Sequence, residues 1–358
     1  METIRLFFIS FELILAIINI HFLFSKKKKF FFKSSDDFII NILKNNFNQI
    51  STYLHNKYWK KKSILYKYKK KLKIYITESY NKNIRKWFLG MYLKDLFDIE
   101  YVEENPDYII IDVFGYRNKT FNSSINKAIK IGIFTENKIP DLNEFDYALG
   151  QCHINYLDRY FKYLNLMYLN YKNIDKIRKR FIKNINRKKF CAAVISDTSE
   201  IFSNNFRLKF IEQLNNYKQI DMGGRYKNNV GGKVKNKIEF LTSYKFSIAM
   251  ENTNGDGYVS EKIIDSFLAG TIPIYYGNYN VDEYINPKSY ILIKGEKDIK
   301  RKIDYIIEID NNEEKYLSIL REKVILDQHL SDKIIYELRH FLINIFSQNN
   351  SLAHRIDD

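Results

Sequence analysis

The stretch FSIAMENTNGDGYVSEKIIDSFLAGTIPIYYG, residues 246–277, decides the fold of this chain. An apolar run of strand length, KFSIAME (245–251), enters the polar loop NTNGDG (252–257). Asn, Asp and Gly are residue types that form tight turns. The first half of the stretch therefore predicts a buried strand that ends in a short loop.

An amphipathic helix is predicted to follow this loop. Its apolar residues recur at spacings of one, three and four, which places them on one helical face: Ile263, Ile264, Phe267 and Leu268. Ser260 is a suitable N-cap, Gly270 a C-terminal stop, and Pro273 prevents the helix from continuing. The whole stretch therefore predicts a strand, a loop, a helix and a second strand, TIPIYY (271–276).

Glu261 and Lys262 stand in the first turn of this helix. In a parallel sheet, the loop and the helix N-terminus lie at the open edge, where free N–H groups and the helix dipole attract phosphate. Lys262 adds a positive charge there, and Glu261 can accept two hydrogen bonds from vicinal hydroxyls such as those of ribose. An ordinary capped helix with a charged first turn explains the same residues, so the pattern alone leaves both interpretations open.

Length and composition limit the class of protein. The 358 residues suit two domains of ordinary size, and a hydrophobic fraction of 45% argues against general disorder. The net charge of +16 favours anionic partners: nucleic acid, an acidic membrane surface or a phosphorylated substrate. Much of that charge lies in SKKKKFFFK (25–33) and KYWKKKSILYKYKKKLK (57–73). Cys152 and Cys191 leave room for at most one disulfide, and no Cys/His cluster has zinc-site spacing.

The N-terminal segment IRLFFISFELILAIINIHFLF (4–24) has the length of a helix that spans a bilayer. Glu12 and Asn19 are costly at bilayer depth, and no small-residue cleavage site of a signal peptide is evident. We expect an uncleaved single-pass anchor; an interfacial or buried helix is the alternative. The Lys cluster at 26–29 favours a cytoplasmic main body, which conflicts with a lumenal location.

Further along the chain, apolar runs of strand length alternate with helical patterns in two series. The first series has strand-like runs at 73–77, 108–112 and 130–137, with a helix at 83–97. The second has runs at 188–197, 245–251, 271–276 and 289–294, with a helix at about 203–216. A basic, helical segment is predicted between them, at 156–187. This alternation predicts an α/β protein with two doubly wound parallel sheets facing a cleft, and ligands at the carboxyl ends of the strands.

The stretch at 246–277 closely resembles the signature of the α-1,3-fucosyltransferases of glycosyltransferase family 10. That signature reads approximately F-E-N, a short loop, G/D-Y-[VI]-T-E-K and A-G-[TS]-[IV]-P-[IV]. Met250 replaces the Phe, and Ser260 replaces the Thr. Six further positions match the signature: Glu251, Asn252, Tyr258, Glu261, Lys262 and Pro273.

Two other segments resemble the same family. AVISDTSEIFSNNFRLKFIEQL (193–214) is similar to its V-V-S-N segment, which leads to an Arg at the start of a helix. Asp197 stands where Asn is usual, and the gap to Arg207 is somewhat longer. FTENKIPDLNEFDYALG (134–150) is similar to the T-G-E-N and F-D-Y-A-[IL]-G segments, without the Gly before Glu136. The likeness extends over about residues 70–310.

The resemblance implies a GT-B architecture of two Rossmann-like domains. It implies an enzyme that transfers L-fucose from GDP-fucose to a sugar hydroxyl with inversion, the commonest acceptor being N-acetylglucosamine (GlcNAc) in a glycan. The expected segments are an anchor-like helix (1–25), a basic stem (26–70), an N-terminal acceptor-side Rossmann-like domain (71–165), a linker helix (166–187), a C-terminal GDP-fucose-binding Rossmann-like domain (188–310) and a helical tail (311–358).

The resemblance also implies roles for individual residues. Glu136, at the carboxyl end of a predicted strand, is the expected general base for the acceptor hydroxyl. Arg207 and Lys262 are expected to stabilise the departing GDP. The other expected donor-binding residues are Ser196, Asp197, Asn252, Tyr258, Glu261 and, in the interdomain segment, Tyr168.

No metal cofactor is expected, because these two cations can meet the diphosphate charge and no DxD-like pair lies near the expected donor site; a divalent ion at most stimulates. The expected partners are GDP-fucose, a glycan acceptor and a membrane, with a Golgi-type location if the source is eukaryotic. Two alternatives stay open: a GT-B enzyme that uses another nucleotide sugar, or a basic membrane- or nucleic-acid-binding protein. Nucleic acid is the less expected partner, since a solvated or membrane-adjacent stem explains the same lysines.

Overall fold

The computed structural model describes residues 71–77, 97–112, 128–163, 173–183, 189–196, 201–327 and 330–347. The chain divides into two compact units, Met1–Tyr68 and Lys69–Asp358, and all of the described residues belong to the second. Within these stretches, no helix combines the length and the apolar character that crossing a membrane demands.

Several predictions fall outside the described residues. They concern the N-terminal anchor (1–25), the basic stem (26–70) and nearly all of the helix at 83–97. Asp197 and Tyr168 also lie outside. What the sequence indicates for these parts of the chain stays a prediction.

The first sheet has six parallel strands in the order β2-β1-β3-β4-β5-β6. The strands are β1 (Lys71–Ile76), β2 (Asp98–Tyr101), β3 (Tyr108–Asp112), β4 (Ile129–Phe134), β5 (Tyr147–Gly150) and β6 (Tyr160–Lys162). Every residue of β3 and β5 is buried, as expected for parallel strands covered on both faces. Because all six strands run the same way, their carboxyl ends share one edge.

The second sheet has five parallel strands in the order β11-β10-β9-β7-β8. The strands are β7 (Lys189–Ala193), β8 (Ile220–Met222), β9 (Tyr244–Met250), β10 (Ile272–Tyr276) and β11 (Ile291–Leu292). The strand order reverses between β7 and β9, and open α/β sheets bind ligands beyond the carboxyl ends of the strands at such a reversal. The predicted α/β fold with parallel sheets is confirmed.

Seven α-helices have described backbones. They are α1 (Ile174–Lys183), α2 (Ile201–Asn215), α3 (Lys237–Leu241), α4 (Glu261–Leu268), α5 (Ile299–Asn311), α6 (Glu313–Arg321) and α7 (Leu330–Phe346). We call residues 71–163, with the first sheet, the N-terminal half, and residues 173–327, with the second sheet, the C-terminal half. Helix α7 follows both halves.

Helix α4 begins and ends where the sequence predicts. The Ser260 side chain accepts a hydrogen bond from the backbone N–H of Lys262, at 3.4 Å. Gly270 has a φ of +69° and donates its N–H to the Phe267 carbonyl, which stops the helix after Leu268. Ile263 and Phe267 are completely buried. Burying a side chain of this kind stabilises the folded state by roughly 1.5–3 kcal/mol relative to leaving it exposed.

Helix α1 is fixed to the C-terminal half by Arg178. This side chain is 2% exposed, lies 5.1 Å from the centre of the Phe267 ring and donates hydrogen bonds to the carbonyls of Ser289 and Ile319. These contacts join α1 to α4, α6 and the short helix Pro287–Ser289. The buried guanidinium therefore orders the segment that precedes the second sheet.

Helix α7 packs against the first sheet. The ring of Phe346 lies 4.7 Å from that of Tyr108, and Phe341 lies 6.3 Å from Tyr147. The Tyr108 hydroxyl donates to the carbonyl of Ile345, at 3.4 Å. The last described helix thus contacts strands that precede it by some two hundred residues.

The sequence predicts a helical segment over 156–187, and this prediction is wrong for the first part of the segment. Tyr160–Lys162 forms β6, which extends the edge of the first sheet beside β5. Three residues are too few to show the alternation of a strand, and only pairing with a neighbour identifies them. Helix α1 begins later, at Ile174.

Candidate active site

Glu136 lies in the loop after β4, at the carboxyl edge of the first sheet. Its Oε2 accepts a hydrogen bond from the Tyr258 hydroxyl, at 3.1 Å, across the two halves of the molecule. Partial burial raises the pKa of Glu136 above that of an ordinary glutamate, although the bond from Tyr258 and the charge of Lys262 oppose this rise. Burial also raises the pKa of Tyr258, so its phenol stays protonated and remains a donor.

A buried carboxylate, Glu251, organises the N-terminus of α4. It follows β9, is completely buried and accepts from the Ser260 N–H at 2.7 Å and the Ser260 hydroxyl at 2.6 Å. The Lys262 ammonium donates to the same carboxylate, at 3.1 Å. Nothing in the sequence assigns Glu251 a role beyond matching the family signature. Its position between a strand and a polar loop was the available signal.

Lys262 and Glu261 are close at the helix start, as their adjacency predicts. The Lys262 ammonium lies 3.9 Å from the Glu261 carboxylate, and their side chains are 19% and 38% exposed. Burial alone lowers the pKa of Lys262, but the charges of Glu251 and Glu261 outweigh it and leave the pKa raised. Lys262 is therefore a permanent cation that solvent can still reach.

Arg207, on α2, reaches the same loop. Its guanidinium donates to the Asn252 side-chain oxygen at 2.9 Å and is 2% exposed. Its charge also lowers the pKa of Lys262, so the two cations are electrostatically coupled. The fold thus brings the two predicted phosphate-binding cations to the carboxyl edge of the second sheet.

The loop at residues 252–260 lies against the N-terminal half. The Asn137 amide donates to the Thr253 hydroxyl at 3.0 Å, and the His153 N–H donates to the Asp256 carbonyl at 3.2 Å. Through these contacts the second sheet's signature loop meets the two loops that follow β4 and β5 in the first sheet. The carboxyl edges of both sheets therefore converge at Glu136.

Not every predicted donor-binding residue is seen to join this cluster. Ser196 is exposed three residues beyond the carboxyl end of β7, at the strand-order reversal. Three pairs of the predicted residues are in contact: Glu136 with Tyr258, Arg207 with Asn252, and Glu261 with Lys262. Charge links the pairs, since Lys262 lowers the pKa of Glu136 and Arg207 lowers that of Lys262. In the described part of the chain, no group of three or more His, Cys, Asp or Glu residues could hold a metal ion.

Gly257 is expected to be intolerant of a side chain. Its φ is +89°, and a Cβ at this position would lie 2.3 Å from the carbonyl oxygen of Gln151. Gly231 is a matched control, because it has a φ of +80° but open space around the added atom. We expect Gly231→Ala to cost roughly 1–2 kcal/mol of unfolding free energy from backbone strain alone. Gly257→Ala should cost more, as measured by urea unfolding; equal losses would contradict the close approach.

Two parallel α/β sheets whose edges meet at a cationic helix N-terminus and a half-buried carboxylate form a suitable site for an enzyme that acts on a phosphorylated ligand such as a nucleotide. Comparison with known families agrees. Residues 72–171 match "Alpha-(1,3)-fucosyltransferase FucT N-terminal domain", and residues 184–333 match "Glycosyltransferase family 10 (fucosyltransferase) C-term". The two matches together cover more than half of the chain, which belongs to glycosyltransferase family 10, the fucosyltransferases. The family predicted from the sequence is confirmed.

Individual relatives are similar over different lengths. The chain is 32% identical over 228 residues to the alpha-(1,3)-fucosyltransferase FucT of Helicobacter pylori, which covers 56% of this chain and 48% of that protein. It is 33% identical over 86 residues to human 4-galactosyl-N-acetylglucosaminide 3-alpha-L-fucosyltransferase 9, which covers 24% of each chain. The chain therefore spans about half the length, or less, of these curated relatives.

A solved structure is similar over more of its length. The crystal structure of an alpha1,3-fucosyltransferase with GDP-fucose matches with a TM-score of 0.64 and 25% identity. The match covers 79% of this chain and 93% of that one. The likeness thus includes both sheets rather than the signature stretch alone.

Proposed function

We propose that this protein is an inverting α-1,3-fucosyltransferase of GT-B architecture. It moves L-fucose from GDP-fucose to a hydroxyl of a GlcNAc-type or related glycan. The observation that carries the proposal is the 3.1 Å hydrogen bond between Tyr258 and Glu136, which brings a candidate base to the loop that Arg207 contacts and that leads into the helix with Lys262. Family membership supports the choice of fucose over other sugars.

Glu136 acts as the general base. As the acceptor oxygen attacks C1 of fucose, its proton passes to the Glu136 carboxylate, and the bond between C1 and the diphosphate oxygen breaks. GDP leaves with that electron pair, and attack from the opposite face inverts C1. A carboxylate whose pKa is raised by burial is a stronger base than an exposed one, while the hydrogen bond from Tyr258 and the charge of Lys262 favour its ionised form.

Lys262 and Arg207 stabilise the departing GDP. The ammonium of Lys262 stands at the first turn of α4, where the helix dipole adds positive potential. Arg207 offers a planar guanidinium that can bind diphosphate oxygens once Asn252 exchanges its contact. Glu261, the more exposed neighbour, accepts from the ribose or fucose hydroxyls, and Ser196 and Asn252 line the donor side.

No metal is required in this proposal, because two permanent cations meet the charge that develops on the diphosphate. A divalent ion at most stimulates the reaction by binding the nucleotide itself. The N-terminal segment and basic stem associate with a membrane, an expectation that rests on their sequence alone. These statements are tested by adding a chelator and by comparing membrane binding with and without residues 1–70.

The decisive experiment measures GDP release from GDP-fucose with and without N-acetyllactosamine. Acceptor-dependent release supports the proposal, and mass spectrometry of the product identifies the added deoxyhexose. GDP-mannose is the matched donor control, since it keeps the nucleotide and changes the sugar, and a UDP-sugar tests another nucleotide. Release from either control but not from GDP-fucose would contradict the proposed donor, and failure to bind GDP-fucose would contradict the whole proposal.

The hydrogen bond from Tyr258 predicts a pH effect. This bond stabilises the ionised form of Glu136 and so lowers its pKa. Tyr258→Phe removes the hydroxyl, so the pKa of Glu136 should rise and the acidic limb of the kcat/KM profile should move to higher pH. Activity relative to wild type should therefore be lowest at acidic pH and recover as pH rises. An acidic limb that stays in place would contradict the assignment of that limb to Glu136.

A further inference from the structure

Gln151 joins the two loops that meet at the candidate site. It follows β5 directly and is completely buried. Its side-chain amide donates to the carbonyl of Thr135 at 2.7 Å, and its side-chain oxygen accepts from the N–H of Val259 at 3.2 Å. The nitrogen of this buried amide therefore bonds to the N-terminal half, and its oxygen bonds to the C-terminal half.

The groups that Gln151 holds are next to the proposed machinery. Thr135 directly precedes Glu136, and Val259 directly follows Tyr258. The 3.1 Å hydrogen bond between the side chains of Tyr258 and Glu136 connects the same two loops directly. The two loops are therefore tied twice: once through the Gln151 amide between main-chain groups, and once directly between side chains.

The main chain of Gln151 also touches the loop at residues 252–260. A Cβ on Gly257 would lie 2.3 Å from the Gln151 carbonyl oxygen and 2.9 Å from the N–H nitrogen of His153. The loop thus packs directly on the backbone beside Gln151. With the amide removed, the partly buried Thr135 carbonyl and the buried Val259 N–H would each need a new partner. A shift of the loop is the simplest way for both groups to find one.

We propose that Gln151 is a positioning residue that sets Tyr258 at hydrogen-bonding distance from Glu136. This inference rests on the proposed function, because it concerns the alignment of the base for fucosyl transfer. The rival explanation is that Gln151 only holds the two halves together. The two explanations differ in whether the effect of Gln151 passes through the Tyr258 hydroxyl.

The test is a double-mutant cycle. Gln151→Met keeps the length and volume of the side chain but removes both hydrogen bonds. Misalignment of this kind costs up to about 100-fold in rate, so we expect kcat to fall about 10- to 100-fold, with a smaller change in the KM for GDP-fucose. The acidic limb of the kcat/KM profile should move to higher pH, in the same direction as for Tyr258→Phe.

In the Tyr258→Phe background, Gln151→Met should no longer move that limb. Residues that act through one contact are non-additive, whereas independent contributions add. Equal limb shifts in both backgrounds, or a shift in neither, would overturn the positioning role. If Gln151→Met does not fold, Gln151→Asn, which keeps the amide but shortens its reach by one methylene, enters the same cycle.

Tyr284→Phe is the matched control. The Tyr284 hydroxyl accepts a hydrogen bond from Lys162 of β6 at 2.9 Å, which also links the two halves. Loss of this hydrogen bond in Tyr284→Phe should lower Tm but leave the acidic limb of the kcat/KM profile in place. If the limb moved in this variant, any loosening of the contact between the two halves would be enough to move it, and the proposal would be overturned. Wild-type inactivity with GDP-fucose would overturn the proposed function and this inference together. An active wild type with an unchanged Gln151→Met profile would overturn only the inference.

Discussion

Replacing Glu136 by glutamine is expected to reduce acceptor-dependent GDP release about 10²- to 10⁴-fold, the usual contribution of a general base. Glutamine keeps the shape of the side chain and an oxygen that can accept the Tyr258 hydroxyl bond. It cannot take the proton of the acceptor hydroxyl. The binding of GDP-fucose should change little, because the donor is held chiefly from the C-terminal half.

The same variant should not lose stability. The folded protein raises the pKa of Glu136, so the native state holds this proton more tightly than the unfolded chain does. Stability therefore falls as pH rises from the ordinary glutamate pKa through the raised one. Glu136→Gln removes that loss, so at pH 7 its unfolding midpoint should equal or exceed that of wild type. Well below about pH 4, where the glutamate is protonated in both the folded and the unfolded chain, the difference should vanish.

GDP release measures the expected loss of activity in Glu136→Gln, and denaturant unfolding measures its stability. Glu144→Gln is the matched control, since this exposed carboxylate lies in the same segment of the N-terminal half. It should leave both activity and stability unchanged. Full activity in Glu136→Gln would place the base elsewhere, and loss of donor binding would indicate that Glu136 contacts GDP-fucose instead.

Local sequence signals were sufficient for the strand, loop and helix that hold Lys262. The N-cap at Ser260, the apolar face of α4 and the stop at Gly270 all depend on residues within one short segment. Parallel strands place their carboxyl ends at one edge, so the predicted location of the loop followed from strand order alone. This is why the place of the loop and of the start of α4 could be predicted without coordinates, whereas the donor-binding roles followed only from the family resemblance and stay predictions.

Contacts between distant segments could not be predicted in this way. Gln151 and Val259 are 108 positions apart, and nothing in either local pattern indicates that they are hydrogen-bonded. The packing of α7 on the first sheet depends on how the chain returns after α6, which periodicity does not encode. Glu251 is a second example: a Glu after a strand appears solvent-exposed in sequence, whereas its three hydrogen-bond donors belong to Ser260, at the end of the loop, and Lys262, in the first turn of α4.

Replacing Lys262 by methionine is expected to lower both activity and stability, for separable reasons. Loss of a group that stabilises developing charge costs about 10²- to 10³-fold in kcat. Loss of the ammonium also leaves Glu251, a completely buried carboxylate, without its cationic partner. Breaking a buried ion pair by removing one member costs about 3–5 kcal/mol, more than the methionine side chain recovers by packing.

A second substitution separates the two effects. In the double variant Glu251→Gln/Lys262→Met, the buried group is neutral, and its oxygen still accepts from Ser260. Unfolding free energy should therefore recover most of what the single variant loses. Activity should not recover, because the Lys262 ammonium is still missing from the diphosphate and Arg207 alone remains there. Denaturant unfolding and GDP release are measured on wild type, Lys262→Met and the double variant.

Lys237→Met is the control for the loss of another ion pair that involves a carboxylate of α4. The Lys237 ammonium lies 2.9 Å from the Asp265 carboxylate of α4, with side chains 28% and 9% exposed. Its removal should destabilise the fold in the same direction as Lys262→Met, while kcat stays near the wild-type value. If the double variant regained activity together with stability, Lys262 would serve only to neutralise Glu251. The cation for the leaving GDP would then have to be Arg207, which the 2.9 Å bond to Asn252 holds at the same loop.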